Sequence, residues 1–309
     1  MPILQPHEMD FKNKNFSMII AGSPGVGKTT LAMSAPNPVL FDFDKGVSRV
    51  RAQHRKATAV VATYEELLAD MESEAIKKSD TLVVDTGGSF ITYLHDWAER
   101  KDARLKKNKL QRFGVVKDEF NHFTSRLQHA LNKNIIYIFH TVEEKKGDII
   151  TQRLLCEGSA RNSVWQPCDL GAYFYIEGGQ RKLGFTPTEE YFAKGCYGIA
   201  GIRNVPTLTE KKENNFLTKL FDEAREDIEA EGEVFVELRG VYDKAMGSAR
   251  AIIDGISDDT TANKCIADFK VIEHALTSEK EAGALFKAKV AELGLVWNKE
   301  DGAYVFDNA

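Results

Sequence analysis

GSPGVGKTT, residues 22–30, decides the fold of this 309-residue chain. Its first eight letters fit the phosphate-loop pattern G-x-x-x-x-G-K-[ST], with an apolar segment before it and a helical pattern after it, as that loop requires. Glycines let the backbone curl so that its N–H groups face phosphate oxygens, and the following helix adds its positive end. The predicted nucleotide-binding residues are Gly22, Ser23, Pro24, Gly25, Val26, Gly27, Lys28, Thr29 and Thr30.

The predicted ligands are ATP and Mg²⁺. Lys28 is expected to reach the β and γ phosphates and to act in catalysis, while the hydroxyl of Thr29 is expected to hold the metal. Magnesium in such sites also takes a carboxylate from a neighbouring strand. The apolar segment Thr81–Asp85 ends in such a group, so Asp85 is the predicted second metal residue.

A carboxylate that activates water is predicted at the end of the strand Pro38–Phe43. The residue after Asp85 is Thr86, which cannot act as a base, so the acid must come from elsewhere. Alternation with period two puts Asp42 and Asp44 on one side of this strand, and ligands bind beyond the carboxyl ends of parallel strands. Asp44, nearer the tip, is preferred, with Asp42 as the alternative.

His140 ends another apolar strand, Ile135–His140, at the same predicted edge of the sheet. A polar side chain there can sense the γ phosphate, although a histidine satisfied within a strand-to-loop turn is the competing interpretation. We therefore include His140 among the predicted catalytic residues.

The order of elements predicts an α/β fold with a mainly parallel sheet. Apolar runs alternate with helical patterns, which is typical of a parallel sheet covered on both faces. A hairpin is expected around residues 177–180 and another around 301–302. The predicted strands are Ser17–Gly22, Pro38–Phe43, Ala57–Ala62, Thr81–Asp85, Ile135–His140 and Ala172–Ile176, and the predicted helices include Lys28–Ser34, Tyr64–Lys77 and Val116–Leu131.

Charge divides the chain into two predicted domains. Residues 1–209 hold 28 Lys and Arg against 24 Asp and Glu, whereas residues 210–309 hold 13 against 22 and read as mainly helical. We predict an ATPase domain over 1–209 and a smaller, acidic, mostly helical domain over 210–309. No apolar run is long enough for a membrane span and the first residues lack the apolar core of a secretion signal, so a cytoplasmic location is expected.

A basic stretch suggests contact with nucleic acid. RKDARLKKNKLQRFGVVK, residues 100–117, has eight basic residues and one acid, and Phe113 offers a ring for base stacking. A solvated helix face is the competing interpretation. Trp165, in the segment 156–169, is open to two interpretations, a DNA contact or a core anchor. The predicted DNA-binding residues are Lys106, Lys107, Lys109, Arg112 and Arg161.

The chain resembles the RecA-like ATPases, and among them phage-encoded proteins that include the Sak-type single-strand annealing ATPases. The resemblance lies in GSPGVGKTT at 22–30, FDFDKG at 41–46, TLVVDT at 81–86, IFHTVEEKKGD at 138–148 and YFAKGCYG at 191–198. It implies that Asp44 is the catalytic carboxylate and His140 the sensor. RecA-like proteins usually carry Glu and Gln at these two places.

The same resemblance implies a function and partners. It suggests an ATP-linked role on single-stranded DNA in phage recombination, by annealing or strand exchange, in the host cytoplasm, with a single-strand-binding protein as a partner. It also implies a homo-oligomer with nucleotide at subunit interfaces, in which Lys194 reaches the phosphates of a neighbour and Arg203 is the reserve candidate.

Two other functions stay open from the sequence. A nucleotide-dependent switch or assembly ATPase would bind a protein partner through the acidic domain and never touch DNA. A small-molecule kinase is disfavoured because no substrate-binding lid stands out.

Overall fold

The computed structural model describes residues 14–156, 164–208 and 213–306. The described chain divides into two compact units, with the division between Asp227 and Ile228. The domain limit predicted between residues 209 and 210 lies outside the described residues, and residues 213–227 belong to the first unit.

The first unit is built on a nine-stranded sheet with the order β3-β2-β4-β5-β1-β7-β8-β9, in which β6 pairs with β5. The strands from β3 to β7 in this order are parallel, and the β5–β6, β7–β8 and β8–β9 pairs are antiparallel. The strands are β1 (Ser17–Gly22), β2 (Pro38–Asp42), β3 (Ala57–Val60), β4 (Thr81–Asp85), β5 (Asn134–Lys146), β6 (Ile149–Leu154), β7 (Leu170–Glu177), β8 (Gln180–Gly184) and β9 (Ile202–Val205).

The central strands are apolar because both faces of the sheet are covered. Every residue of β1, β2 and β4 is buried, as expected for parallel strands between helical layers. The helices of this unit are α1 (Lys28–Ala32), α2 (Tyr64–Asp70), α3 (Glu74–Lys78), α4 (Gly87–Lys101) and α5 (Lys109–Ser125), the last followed by a π-helical turn (Arg126–Ala130).

The strand order places the predicted site at one edge. β5 lies between β1 and β4, so the phosphate-loop strand and the Asp85 strand are next-nearest neighbours, as in a RecA-like P-loop fold. The predicted α/β class with a mainly parallel sheet is confirmed. Several predicted bounds differ: the chain breaks between α2 and α3 where one helix was expected, α5 begins earlier than predicted, and α1 and β3 end earlier. The strand predicted to end at His140 continues to Lys146, because its last residues pair with β6, so His140 lies within β5.

The predicted hairpin around residues 177–180 is present between β7 and β8. Gly178 and Gly179 both have positive φ angles, 57° and 76°, which a two-residue turn with the twist of a hairpin requires.

The second unit is mainly helical, as predicted. Helix α6 spans Phe216–Asp254, and its residues from Ile228 onward belong to this unit. The unit also contains α7 (Asp259–Phe269), α8 (Ser278–Glu292) and the closing hairpin of β10 (Leu295–Asn298) and β11 (Ala303–Phe306). Asp258 and Thr261 form a capping box that starts α7. Its main core consists of Ile253, Ile256, Ala262, Cys265, Phe286, Val290 and Leu295. In the described parts of the chain, no helix is both long and apolar enough to cross a membrane.

Candidate nucleotide site

The loop after β1 has the backbone that phosphate binding needs. Gly25 and Gly27 have φ angles of 82° and 101°, in the region that favours glycine, and α1 begins directly afterwards at Lys28. Successive N–H groups in such a turn, together with a helix N-terminus, form an anion-binding concavity. The predicted phosphate loop is therefore present with its expected strand and helix.

Lys28 folds back onto this loop. Its amine donates to the carbonyl oxygens of Gly22 at 2.8 Å and Ser23 at 2.9 Å, and lies 3.2 Å from Nδ1 of His140. Burial lowers the pKa of Lys28 to about 8, and the nearby carboxylates of Asp85 and Asp44 limit the fall. At neutral pH the amine therefore stays cationic.

Thr29, in the first turn of α1, contacts Asp85 at the carboxyl end of β4. The Thr29 hydroxyl donates to Oδ2 of Asp85 at 2.7 Å, which brings two hard oxygen atoms together beside the phosphate loop. Oxygens of this kind are the ligands that Mg²⁺ takes in proteins, so this pair fits the metal. Burial raises the pKa of Asp85 to about 6. The Thr29 hydrogen bond opposes the rise, and Asp44 and Asp42 add to it.

Asp44 and Asp42 have different environments. β2 ends at Asp42, so the alternation that put both side chains on one side does not extend to Asp44. Asp42 is fully buried and accepts hydrogen bonds from the backbone N–H groups of Gly46 and Val47, both at 2.9 Å. Its carboxylate thus fixes the turn after the strand.

Asp44 is partly open and faces the cluster. Its carboxylate accepts hydrogen bonds from the hydroxyls of Thr86, at 3.4 Å, and Ser89, and its Oδ2 lies 4.0 Å from Nε2 of His140. Thr86 is the N-cap of α4 and Ser89 lies in its first turn, where the helix dipole favours a negative group. Asp44 is therefore the better placed of the two acids to orient water.

His140 lies between Lys28 and Asp44. Burial, followed by the charge of Lys28, lowers its pKa below the ordinary value, while Asp44 opposes the fall. Since an ammonium group can only donate, Nδ1 accepts from Lys28 and the proton lies on Nε2, toward Asp44. The imidazole can therefore link the state of the phosphate loop to that of the carboxylate.

Replacing Asp85 with Asn is expected to stabilise the nucleotide-free protein while impairing Mg²⁺-dependent turnover. Asn removes a buried charge and keeps an oxygen that can accept from Thr29. The carboxyl ionises near pH 6 in the folded state against a reference of 3.8, so the wild type loses stability as pH rises from 4 to 6. The gain should be about 1–3 kcal/mol at pH 8 and vanish near pH 4. Thermal unfolding without nucleotide checks this, and a lower melting temperature for Asp85→Asn at pH 8 would contradict it.

Sequence reasoning missed two side chains at this site. Ser89 contacts Asp44, and its signal in the sequence is its place three residues after the N-cap Thr86. Arg181, on β8, donates from Nε to the carbonyl oxygen of Val26 at 3.0 Å. No local pattern connects Arg181 with a loop so distant in sequence.

Lys194 is not part of this cluster. Its backbone pairs with Gly171 through two hydrogen bonds of 2.8 Å, toward the amino end of β1 and away from the phosphate loop. Its amine donates to the carbonyl oxygen of Cys168 in the same chain. The role of Lys194 in a neighbouring subunit stays a prediction.

The residues predicted to bind DNA differ in their surroundings. Lys106, Lys107 and Lys109 are exposed between α4 and the start of α5. Arg112 is half-buried in an ion pair with Glu99, so its guanidinium is not presented to solvent as the charge run suggested. Arg161 lies outside the described residues.

The two aromatic candidates, Phe113 and Trp165, are half-buried and pack against other residues of the unit. Phe113 makes an edge contact with the His95 ring, with centroids 5.0 Å apart. Trp165 packs so closely on Gly171 that a Cβ there would lie 2.2 Å from its ring. Of the two interpretations of Trp165, the structure favours the core anchor.

One family model matches the part of the chain that holds the site. The AAA_24 family, described as an AAA domain, matches residues 14–197, which hold the phosphate loop, Asp44, Asp85 and His140. None of the curated proteins compared with the chain matches it. The crystal structure of the flagellar accessory protein FlaH from Methanocaldococcus jannaschii is similar over 62% of this chain and 90% of that chain, with 11% identity and a TM-score of 0.29. Since the family match spans more than half of its length and includes the whole cluster, this chain belongs to the AAA_24 family and is an AAA-type P-loop ATPase domain.

Proposed function

We propose that this protein hydrolyses ATP with Mg²⁺ and couples turnover to single-stranded DNA, by annealing or strand exchange, as the resemblance to Sak-type phage proteins implies. The observation that carries the chemistry is the convergence of Lys28, Asp85 and Asp44 at one edge of the sheet. The finer role on DNA rests on the three exposed lysines and on the resemblance.

The residues divide the chemistry among them. Lys28, once released from the two loop carbonyls, stabilises negative charge on the phosphates. Thr29 and Asp85 would hold Mg²⁺, which supplies charge neutralisation at the phosphate oxygens when bound. Asp44 orients a water molecule and takes its proton, while Thr86 and Ser89 hold the carboxylate in place.

The lysine face of Lys106, Lys107 and Lys109 supplies the proposed contact with DNA. Phosphate contacts release counterions, so replacing all three with Ala should weaken single-stranded DNA binding and reduce the salt slope by about 0.7 per lysine, or about 2 altogether. ATP binding should survive. Binding titrations over a range of salt concentrations measure both quantities.

A matched triple variant controls for general loss of charge. Lys56, Lys77 and Lys78 are also exposed but lie elsewhere on the unit, and their replacement should leave the salt slope unchanged. Equal slopes for the wild type and the first triple variant would make Lys106, Lys107 and Lys109 a solvated face.

The alternative, a nucleotide-dependent assembly protein, is favoured by a different observation. Val234 and Leu238, one turn apart on the same face of α6, are 57% and 40% exposed among acidic neighbours, as a surface for a protein partner would be. ATPase assays with and without single-stranded DNA separate the two functions. Stimulation by DNA supports the first proposal, whereas an unchanged rate favours the second.

Assembly belongs to the same proposal. A homo-oligomer with nucleotide between subunits, Lys194 acting in trans and a single-strand-binding protein as partner all come from the resemblance. All three stay predictions, and a role of Lys194 in trans would require its amine to leave the carbonyl oxygen of Cys168 in its own chain.

A further inference from the structure

A cavity of about 550 Å³ opens beside the phosphate loop. It is lined by Gly25, Gly27 and Thr30 and by the segments 205–208 and 213–216. Its volume lies within the range of about 300–1,000 Å³ that is usual for small-molecule sites. The cavity lies entirely within the first unit.

The cavity is strongly basic. Arg49, Arg51, Arg181 and Lys219 line it, against one carboxylate, Glu213, among its described lining residues. Cations gathered around a concave site attract anionic ligands and raise their local concentration. Four apolar side chains also line the cavity, and these suit the flat face of a base: Val205, Pro206, Leu208 and Phe216.

Arg181 connects the cavity to the phosphate loop. Its Nε donates to the Val26 carbonyl oxygen at 3.0 Å, and a Cβ on Gly27 would lie 3.5 Å from that nitrogen. Its two terminal nitrogens have no hydrogen-bond partner in the described part of the chain. The guanidinium is thus anchored through one nitrogen and keeps its paired donors for a ligand.

We propose that this cavity takes the ribose and base of the bound nucleotide, and that Arg181 contacts the nucleotide's phosphates from within the same chain. This inference rests on the proposed ATP binding and extends it. Arg181 would add a cation from the same chain to Lys28 of the phosphate loop. The segments 205–208 and 213–216 would contact the ribose and the base.

The first test separates phosphate contacts from nucleoside contacts. Arg181→Ala should weaken the binding of both ATP and inorganic tripolyphosphate by roughly 10- to 100-fold, the range for a hydrogen bond to a charged group. Arg181→Lys should recover part of the loss. Lys182→Ala is the matched control, because its amine pairs with Glu177 at the hairpin and does not line the cavity. Unchanged tripolyphosphate binding by Arg181→Ala would overturn the phosphate contact.

The second test places a large side chain in the cavity. Thr207 is exposed and lines it, so Thr207→Trp should fold normally and occupy the space of the nucleoside. ATP binding should weaken at least roughly 10-fold, as lost contacts of 1.4 kcal/mol or more imply, while tripolyphosphate binding stays unchanged. Equal effects on the two ligands, or none, would overturn the assignment of the cavity to the nucleoside, while ATP binding by the wild type would still support the proposed function. Failure of the wild type to bind ATP would instead contradict the proposed function itself.

Discussion

Lys28→Ala is expected to lower ATP turnover by at least about 100- to 1,000-fold, the loss measured when one preorganised donor is removed from a reacting centre. No other described side chain replaces its amine, which lies inside the loop against Gly22, Ser23 and His140. Steady-state hydrolysis with Mg²⁺ measures the effect.

The folded state needs a separate check. Lys28 is 5% exposed, and its replacement removes a buried ammonium group that donates hydrogen bonds to the carbonyl oxygens of Gly22 and Ser23. Circular dichroism and thermal unfolding should therefore show a folded protein. A folded Lys28→Ala protein that hydrolyses ATP at the wild-type rate would refute the assignment of the site.

Asp44→Asn is expected to slow turnover about 100-fold or more while leaving ATP affinity near that of the wild type. A loss of this size is usual when a general base is removed. The local structure should be kept, because the amide oxygen of Asn can still accept hydrogen bonds from Thr86 and Ser89. Equilibrium ATP binding and single-turnover hydrolysis separate the two quantities.

Asp42→Asn is the matched control, since the same change two residues away meets a different environment. An amide can accept only one of the two N–H groups, from Gly46 and Val47, that now meet carboxylate oxygens. Stability should fall by about 1–3 kcal/mol, with turnover per folded molecule little changed. If Asp42→Asn instead slowed chemistry more than Asp44→Asn, the assignment of the base would be reversed.

The parts of the site that the sequence predicts are those fixed by local geometry. The phosphate loop needs its glycines, its lysine and its hydroxyl within one turn, so their spacing alone identifies it. Asp85 follows because an apolar strand ending in an acid, placed after such a loop, has few other uses. The parallel sheet follows from the alternation of apolar runs with helical patterns.

The choice between Asp42 and Asp44 depended on where β2 ends, which the periodic pattern does not contain. The strand stops at Asp42 because the turn that follows takes up that carboxylate through the N–H groups of Gly46 and Val47. Element ends are the least predictable feature of a sequence, and here one residue position decides which acid faces the site.

Contacts between distant elements account for the rest. Arg112 belongs to a basic run, but whether it meets solvent or Glu99 depends on how α4 and α5 pack. Arg181 reaches Val26 only because β7 joins β1 and brings β8 along with it. The local sequence contains no pattern that indicates either contact.

The buried environment of the site also makes nucleotide binding a proton-exchange reaction. Phosphate oxygens favour the charged form of Lys28, whose pKa is about 8, so binding near pH 8 takes up a proton from solution. A cation beside Asp85, whose pKa is about 6, favours its ionised form, so binding near pH 6 releases one. Between these two values both groups already hold the charges that the ligand needs, and association there proceeds with little net exchange of protons with the buffer.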